Sequence, residues 1–315
     1  MEVSIKLKER FCKDCNIPIN IYQEPYFQDR LKLYDEHYGT LNKWNLFVEE
    51  VSKYKTEQDY FEEYNRVKDD AINFIKSTGA YLNFNAEDMN KYSIVHKGLP
   101  SKDIYHPSND GKTFISIDMK KANFSALQFY DPWMFGRVGT WEDFIGSFTD
   151  NKHIINSKYI RQVILGNCNP KRHITYEKYL MDMILSNLIE YDNIIIDRVV
   201  FFSNDEIIID ISDMSNLDQV TMSLRIEETL KHITIPLKVE LFTLNKIKGT
   251  SGYCKAIYNV KCANKIKFKS LDSLYLPFVI RHFKNEEVSE NDKVFYHNGL
   301  LAKFVEVPKI SVGVE

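Results

Sequence analysis

The sequence predicts an α+β fold in which helices cover one face of an antiparallel sheet, preceded by a mainly helical N-terminal region. Three observations carry this. Through residues 1–108 apolar side chains recur at helical spacing, as at Tyr60, Tyr64, Val67, Ala71, Phe74 and Ile75. After a turn-rich stretch, short runs of β-branched and aromatic residues take over, at 113–117, 199–202 and 207–211. Segments with helical spacing separate these runs, so the order reads strand, helices, hairpin, helix, strand, a βαββαβ-like succession.

The first region holds a helix around Leu41, Trp44, Phe47 and Val51, with Glu49 and Glu50 expected on its outer face. A second begins at Thr56-Glu57-Gln58-Asp59, a capping signal, and ends at Thr78-Gly79. The aromatic stripe of these helices is expected to be core. Pro100, Pro107 and Ser108-Asn109-Asp110-Gly111 mark a boundary, dividing the chain into 1–108, a core at 109–248 and an extension at 249–315. Beyond the strand at 113–117, helices are expected at 122–129 (stopped by Asp131-Pro132), 141–148, 157–165 (closed by Gly166), 176–189 and 218–232. Residues 237–244 read as extended and the tail from 249 as β-rich.

At 315 residues and 37.1 kDa the chain exceeds one ordinary domain, and 44% hydrophobic residues suffice for a core. No apolar run reaches the roughly 18 residues of a membrane span, and the first residues carry no apolar signal-peptide core. These features predict a cytoplasmic protein without a membrane partner. A net charge of −3 and a pI near 6.3 exclude a chain that is basic throughout, but not a local basic groove. Lysine outnumbers arginine, and Ile, Asn, Tyr and Phe are abundant, a bias that accompanies AT-rich coding genomes such as those of many viruses and low-GC bacteria. Five cysteines without an export signal point to reduced thiols. Cys12 and Cys15 have half of a zinc spacing, which Cys254 and Cys262 could complete. That second pair lacks the short spacing of a zinc ribbon, and buried thiols are the expected state.

The chemistry concentrates in three places. Phe201-Phe202-Ser203-Asn204-Asp205-Glu206-Ile207 lifts two adjacent carboxylates onto a turn between apolar strands, and Asn-Asp tolerates the left-handed backbone of a tight hairpin. The strand at 113–117 runs into Asp118, followed by Lys120 and Lys121. If the strands are neighbours, Asp118 and Asp205 meet at the sheet edge and offer an oxygen site suited to Mg²⁺ or Mn²⁺. Between them, Lys158 and Arg161 lie three apart on one helix face, a pair able to clamp a triphosphate or a nucleic-acid backbone. Asn167, Asn169, Lys171 and Arg172 follow with further donors. Each feature also has a purely structural reading: an N-cap, an ordinary turn, a solvated helix face.

The order of Asp118 at a strand end, the Lys/Arg helix at 158–172 and Asn204-Asp205-Glu206 on a hairpin resembles motifs A, B and C of template-dependent nucleic-acid polymerases with a palm domain. The Asp-Glu pair is most similar to motif C of the family-A DNA polymerases. Ser116-Ile117-Asp118-Met119-Lys120-Lys121-Ala122 and the compact interval to Asp205 are similar to reverse transcriptases. The resemblance covers about residues 112–245 and implies a palm-like sheet. It implies Asp118 and Asp205 as ligands of two Mg²⁺ ions, Glu206 as a supporting carboxylate, Lys158 and Arg161 on the incoming triphosphate, and Asn123 near the nucleotide sugar. Nucleic acid and nucleoside triphosphates are the implied partners. The basic helix lacks the usual aromatic-Gly ending, and fingers and thumb of normal size are missing, which leaves template contacts to the N-terminal helices or to a replication partner protein.

Two other readings belong to different classes. Asp110, Asp118 and Lys120 resemble the PD-(D/E)xK nuclease core, in which two carboxylates bind Mg²⁺ and a lysine supports hydrolysis. A palm- or RRM-like sheet could also serve a non-enzymatic nucleic-acid- or protein-binding factor of a virus.

Overall fold

The computed structural model describes residues 3–258 and 265–313. Helices α1 (Ile5–Cys15), α2 (Tyr26–Tyr38), α3 (Thr40–Ser52), α4 (Glu57–Ser77) and α5 (Gly79–Ala86) come first. The capping signal at Thr56 is used in both directions: the Asp59 N–H donates to Thr56 Oγ1 at 3.1 Å and the Thr56 N–H to Asp59 Oδ2 at 2.9 Å. Strand β1 (Thr113–Met119) follows a stretch of loop and short 3₁₀ turns, then α6 (Ala122–Tyr130), α7 (Trp141–Gly146), α8 (Lys152–Asn156), α9 (Lys158–Gly166), α10 (Pro170–Tyr191) and α11 (Ile194–Asp197). The hairpin β2 (Val199–Phe202) and β3 (Glu206–Asp210), helix α12 (Asn216–Leu230) and strand β4 (Leu237–Lys248) complete the βαββαβ succession. Strands β5 (Tyr253–Tyr258) and β6 (Lys265–Lys269), helix α13 (Leu276–Lys284), the hairpin β7 (Val294–His297) and β8 (Leu300–Lys303), and β9 (Ser311–Val312) end the chain.

The sheet runs β2-β3-β1-β4-β5-β6, antiparallel at every junction, with β9 added beside β4. The fold is α+β, as expected. Strand alternation assigns the faces. Ile115, Ile117, Met119, Ile207 and Ile209 turn toward the helices, in a buried cluster that continues without a break into Leu7, Phe11, Phe27, Phe47 and Tyr60 of the N-terminal helices. Phe114, Ile208, Phe242 and Tyr253 form a smaller cluster on the other face, covered by Ile104 and Tyr105. Among the described residues no helix is long and apolar enough to cross a membrane.

Several details depart from expectation. Helix α10 starts at Pro170 and not at 176, because Asn169 adopts the left-handed conformation and Pro170 occupies the first turn, where a missing N–H costs nothing. Glu50 is fully buried, since it lies three residues after Phe47 on the inner side of α3, and it pairs with Lys53 at 2.8 Å. Phe74 is 38% exposed and lies against Phe144 and Phe148 at the margin of the core. The tail is not only β-rich: α13 packs there, and β5 and β6 widen the main sheet instead of forming a unit of their own. The turn from β4 to β5 passes through Gly249 at φ +86, where a Cβ would collide with the carbonyl of Lys309. Cys12, Cys168 and Cys254 are buried and Cys15 is partly so; Cys262 lies outside the described residues. Burial pushes the Cys168 thiol up to about 11 and those of Cys15 and Cys254 to about 12.

The two borders of the sheet are unlike each other. Strand β2 is short, carries an irregularity between Val199 and Phe201, and gives the Phe202 N–H to the carbonyl of Pro100 at 2.7 Å. Strand β6 alternates Lys265, Lys267 and Lys269 with Ile266 and Phe268.

Asp14, between the two cysteines of α1, has no exposed surface. Its Oδ1 accepts from Tyr64 Oη of α4 at 2.8 Å and from Ser157 Oγ at 2.9 Å, and its Oδ2 lies 3.0 Å from His153 Nε2 of α8. Arg10 stands 3.9 Å away. Ser157 is in turn the N-cap of α9, accepting from the Ile160 N–H at 3.0 Å. Removing a buried partner of this kind typically costs about 3–5 kcal/mol. Asp14→Ala should therefore destabilise the chain by an amount in that range in urea unfolding, whereas the neighbouring exposed Lys13→Ala should change stability by less than about 0.5 kcal/mol.

Candidate active site

Strand β1 brings Asp118 to the end of the sheet, and the hairpin brings Asp205 beside it. The Met119 N–H donates to the carbonyl of Asp205 at 2.8 Å, so the two aspartates flank one backbone hydrogen bond. Both line a cleft of about 470 Å³ floored by the ends of β1 and the hairpin and walled by α6, α9 and α10. Burial raises the Asp118 carboxyl above the ordinary carboxylate range, and the Asp205 charge adds to the rise. Glu206 lies directly across from Asp118 in the ladder and is absent from the cleft wall. It sits on the helix-free face of the sheet, where burial raises its pKa and Lys255 opposes the rise.

The turn holding Asp205 is built differently from the sequence expectation. Neither Asn204 nor Asp205 has positive φ. The Ser203 side chain organises the reversal instead, its Oγ accepting from the Glu206 N–H at 2.9 Å and lying 3.0 Å from Asp205 Oδ1, while the Ser203 N–H donates to the Glu206 carbonyl at 2.9 Å. Above the turn, Asn204 Nδ2 donates to Glu177 Oε2 of α10 at 2.8 Å.

The basic residues divide. Lys158 and Arg161 of α9 line the cleft with Lys121 and Asn123. Lys158 is exposed; Arg161 is half-buried, and its Nε has no hydrogen-bond partner. Burial lowers the Arg161 pKa, and Glu142 acts against the fall. Lys121 is anchored by an ion pair to Glu142, with Nζ 2.7 Å from Oε1. Lys120 points into a different depression, beside Lys231 and Lys238. The remaining four do not face the cleft. Asn167 Nδ2 turns back to the Val163 carbonyl, Asn169 Nδ2 donates to Asn85 at 2.8 Å, and Lys171 is exposed on the first turn of α10. The Arg172 guanidinium is committed to the carbonyls of Phe84 and Glu87, which ties α10 to α5. Asp110 lies at the opposite end of β1 from Asp118, accepting from the Lys246 N–H at 2.7 Å. A seven-residue strand is about 20 Å long, so Asp110 and Asp118 cannot share a metal ion.

Two ionisable cleft residues, His173 and Glu177, escaped sequence reading. With Pro170 and Ile174 they lie at helical spacing and form the α10 wall. The signal was an acid and an imidazole four residues apart on an otherwise apolar stripe; the imidazole lay outside the helix expected from 176, so the pairing was hidden. His173 is 3% exposed; burial lowers it to about 4, against a hydrogen bond to the Cys168 backbone, and its Nε2 has no partner. Glu177 is 4% exposed, and burial raises it to about 7, with the Asn204 hydrogen bond opposing and Asp205 reinforcing the rise.

Among the described residues no group of three or more His, Cys, Asp or Glu is arranged to hold a metal ion. Asp118 and Asp205 thus offer two carboxylates, a set that fits Mg²⁺ when phosphate oxygens and water complete its shell and does not fit a closed zinc site. Comparison with protein-family models, curated proteins and solved structures returns no match.

The Glu177 carboxyl titrates higher in the folded chain than in the unfolded one. Its ionisation therefore opposes folding, and that stability is lost as pH rises through about 7. Glu177→Gln should raise stability by about 2–3 kcal/mol at pH 8, with the gain vanishing near pH 4, as measured by urea unfolding at the two pH values.

Proposed function

We propose that this chain is a metal-dependent nucleotidyltransferase of the template-dependent polymerase kind, transferring the nucleotidyl group of a nucleoside triphosphate to a 3′-hydroxyl with release of pyrophosphate, in the cytoplasm. One observation carries the reading: two acids from neighbouring strands and two cations from one helix line a single cleft. Asp118 and Asp205 would hold Mg²⁺ or Mn²⁺, which supplies charge neutralisation at the attacking and leaving oxygens. Arg161 brings a guanidinium with an unpartnered buried Nε, a donor for a phosphate oxygen, and Lys158 adds a mobile point charge at the mouth. Asn123 stands on the first turn of α6, beside Asp118, where it can meet the sugar. The palm resemblance agrees with the strand order, in which β1 lies between the hairpin and β4.

Nucleic acid as partner has separate support on the helix-free face of the sheet. Lys255 and Lys267 reach Glu240 at 3.2 and 2.8 Å, and Lys238, Lys265 and Lys269 share that face by strand alternation. This basic excess extends from Glu206 and Asp118 toward β6. A non-catalytic binding protein would use the same face, and activity separates the two.

Purified protein given a primed template, all nucleoside triphosphates and Mn²⁺ should extend the primer. Asp205→Ala and Asp118→Ala should each lower the rate about a thousandfold, the equivalent of several kcal/mol of charge stabilisation, with the fold retained by circular dichroism. Binding without extension in any metal would overturn catalysis in favour of a binding role. Replacing Lys265, Lys267 and Lys269 together by Ala should reduce the slope of log affinity against log salt for single-stranded nucleic acid by about 2.

A further inference from the structure

Resting on that reading, we infer that Glu177 is a positioning residue, whose buried carboxyl grips Asn204 and thereby sets the turn that presents Asp205 to the cleft. The turn needs such a hold. Its backbone avoids the left-handed region that would stiffen an Asn-Asp reversal, and within the turn Ser203 alone braces it, through its hydroxyl and through its N–H to the Glu206 carbonyl. Glu177 supplies a second brace from a different element, 2.8 Å from the Asn204 amide, and the Met119 N–H supplies a third from β1. Three elements thus converge on one turn: strand, hairpin and helix.

The chemistry of position 177 favours this role over plain packing. Its neighbours along the inner side of α10 are Tyr176, Leu180, Met181 and Ile184, all buried. An apolar side chain there would serve the core better, because a buried carboxyl must be compensated by hydrogen bonding. Among the described residues the one hydrogen-bond partner of its side chain is Asn204, the residue immediately before Asp205. Partners that orient metal-binding carboxylates typically contribute 10- to 100-fold in metal affinity.

The test measures Mn²⁺ affinity by titration followed by electron paramagnetic resonance, alongside single-nucleotide extension, for the full chain and for Glu177→Ala, Asn204→Ala, the double variant and Glu177→Gln. Glu177→Ala and Asn204→Ala should each weaken Mn²⁺ binding by about tenfold or more. The double variant should be no worse than either single one, because both remove the same link. Glu177→Gln should recover most of the loss, since its amide oxygen accepts the same N–H. Unchanged Mn²⁺ affinity in Glu177→Ala, additive losses in the double variant, or no recovery with Gln in a folded protein would each overturn the assignment. The expected affinity pattern without extension by the wild-type chain would sink the polymerase reading and leave the positioning role standing. Extension without that pattern would do the reverse, and a wild-type chain that binds no Mn²⁺ would overturn both.

Discussion

A carboxylate with no exposed surface, Asp14, holds the helical half of the molecule to the helix that carries its cations. Tyr64, His153 and Ser157 reach it from three other parts of the chain, and Arg10 stands behind. A buried carboxylate held by three partners from separate segments admits few alternative arrangements. Because Ser157 both binds Asp14 and caps α9, the direction in which α9 leaves the core is fixed at its first residue. Lys158 and Arg161 follow within one turn. The placement of two cleft cations therefore depends on a residue of the first helix, remote in sequence and hidden from the cleft.

The cleft itself is poorly arranged for stability. Asp118 and Asp205 raise each other's energy, Glu177 is an acid in an apolar wall, and Arg161 and His173 each bury a nitrogen without a partner. Elsewhere the charged residues are matched more closely, as where Arg30 meets Asp292 at 3.0 Å and the carbonyls of Asn291 and Val294. Three acids, and two nitrogens without partners, gather in this one concave place, the pattern of a site kept for a ligand and not for folding.

Much of this was legible in the chain. The β-branched runs at 113–117 and 207–211 pack both faces of a central sheet, so their identity as strands followed from composition; a turn was expected at Asn204-Asp205, but Ser203 and not a left-handed backbone makes it. The meeting of Asp118 with Asp205 followed once the strands were taken as neighbours. What was not legible depended on distance through space. Arg172 looked like a phosphate ligand, but a guanidinium is also the best single group for gathering carbonyls, and Phe84 and Glu87 took it. Glu206 seemed equivalent to Asp205, yet it pairs across from Asp118 on the side of the sheet where Lys255 lies, and does not line the cleft. His173 was hidden because α10 was expected to begin only at 176, whereas Pro170 opens it, and only the longer helix puts His173 and Glu177 one turn apart on the same side. Glu50 was assigned to the outside by its charge, although its position relative to Phe47 placed it inside.

The contrast between the borders of the sheet sets how the molecule meets copies of itself. An open strand is a template for any extended segment, and addition at such a border, repeated, produces fibres. Here β2 has spent one of its outward amides on Pro100 and is bent by its irregularity, while an incoming strand at β6 would have to lie among the ammonium groups of Lys265, Lys267 and Lys269. Growth of the sheet from one molecule to the next is thereby discouraged at both ends, by geometry on one side and by charge on the other.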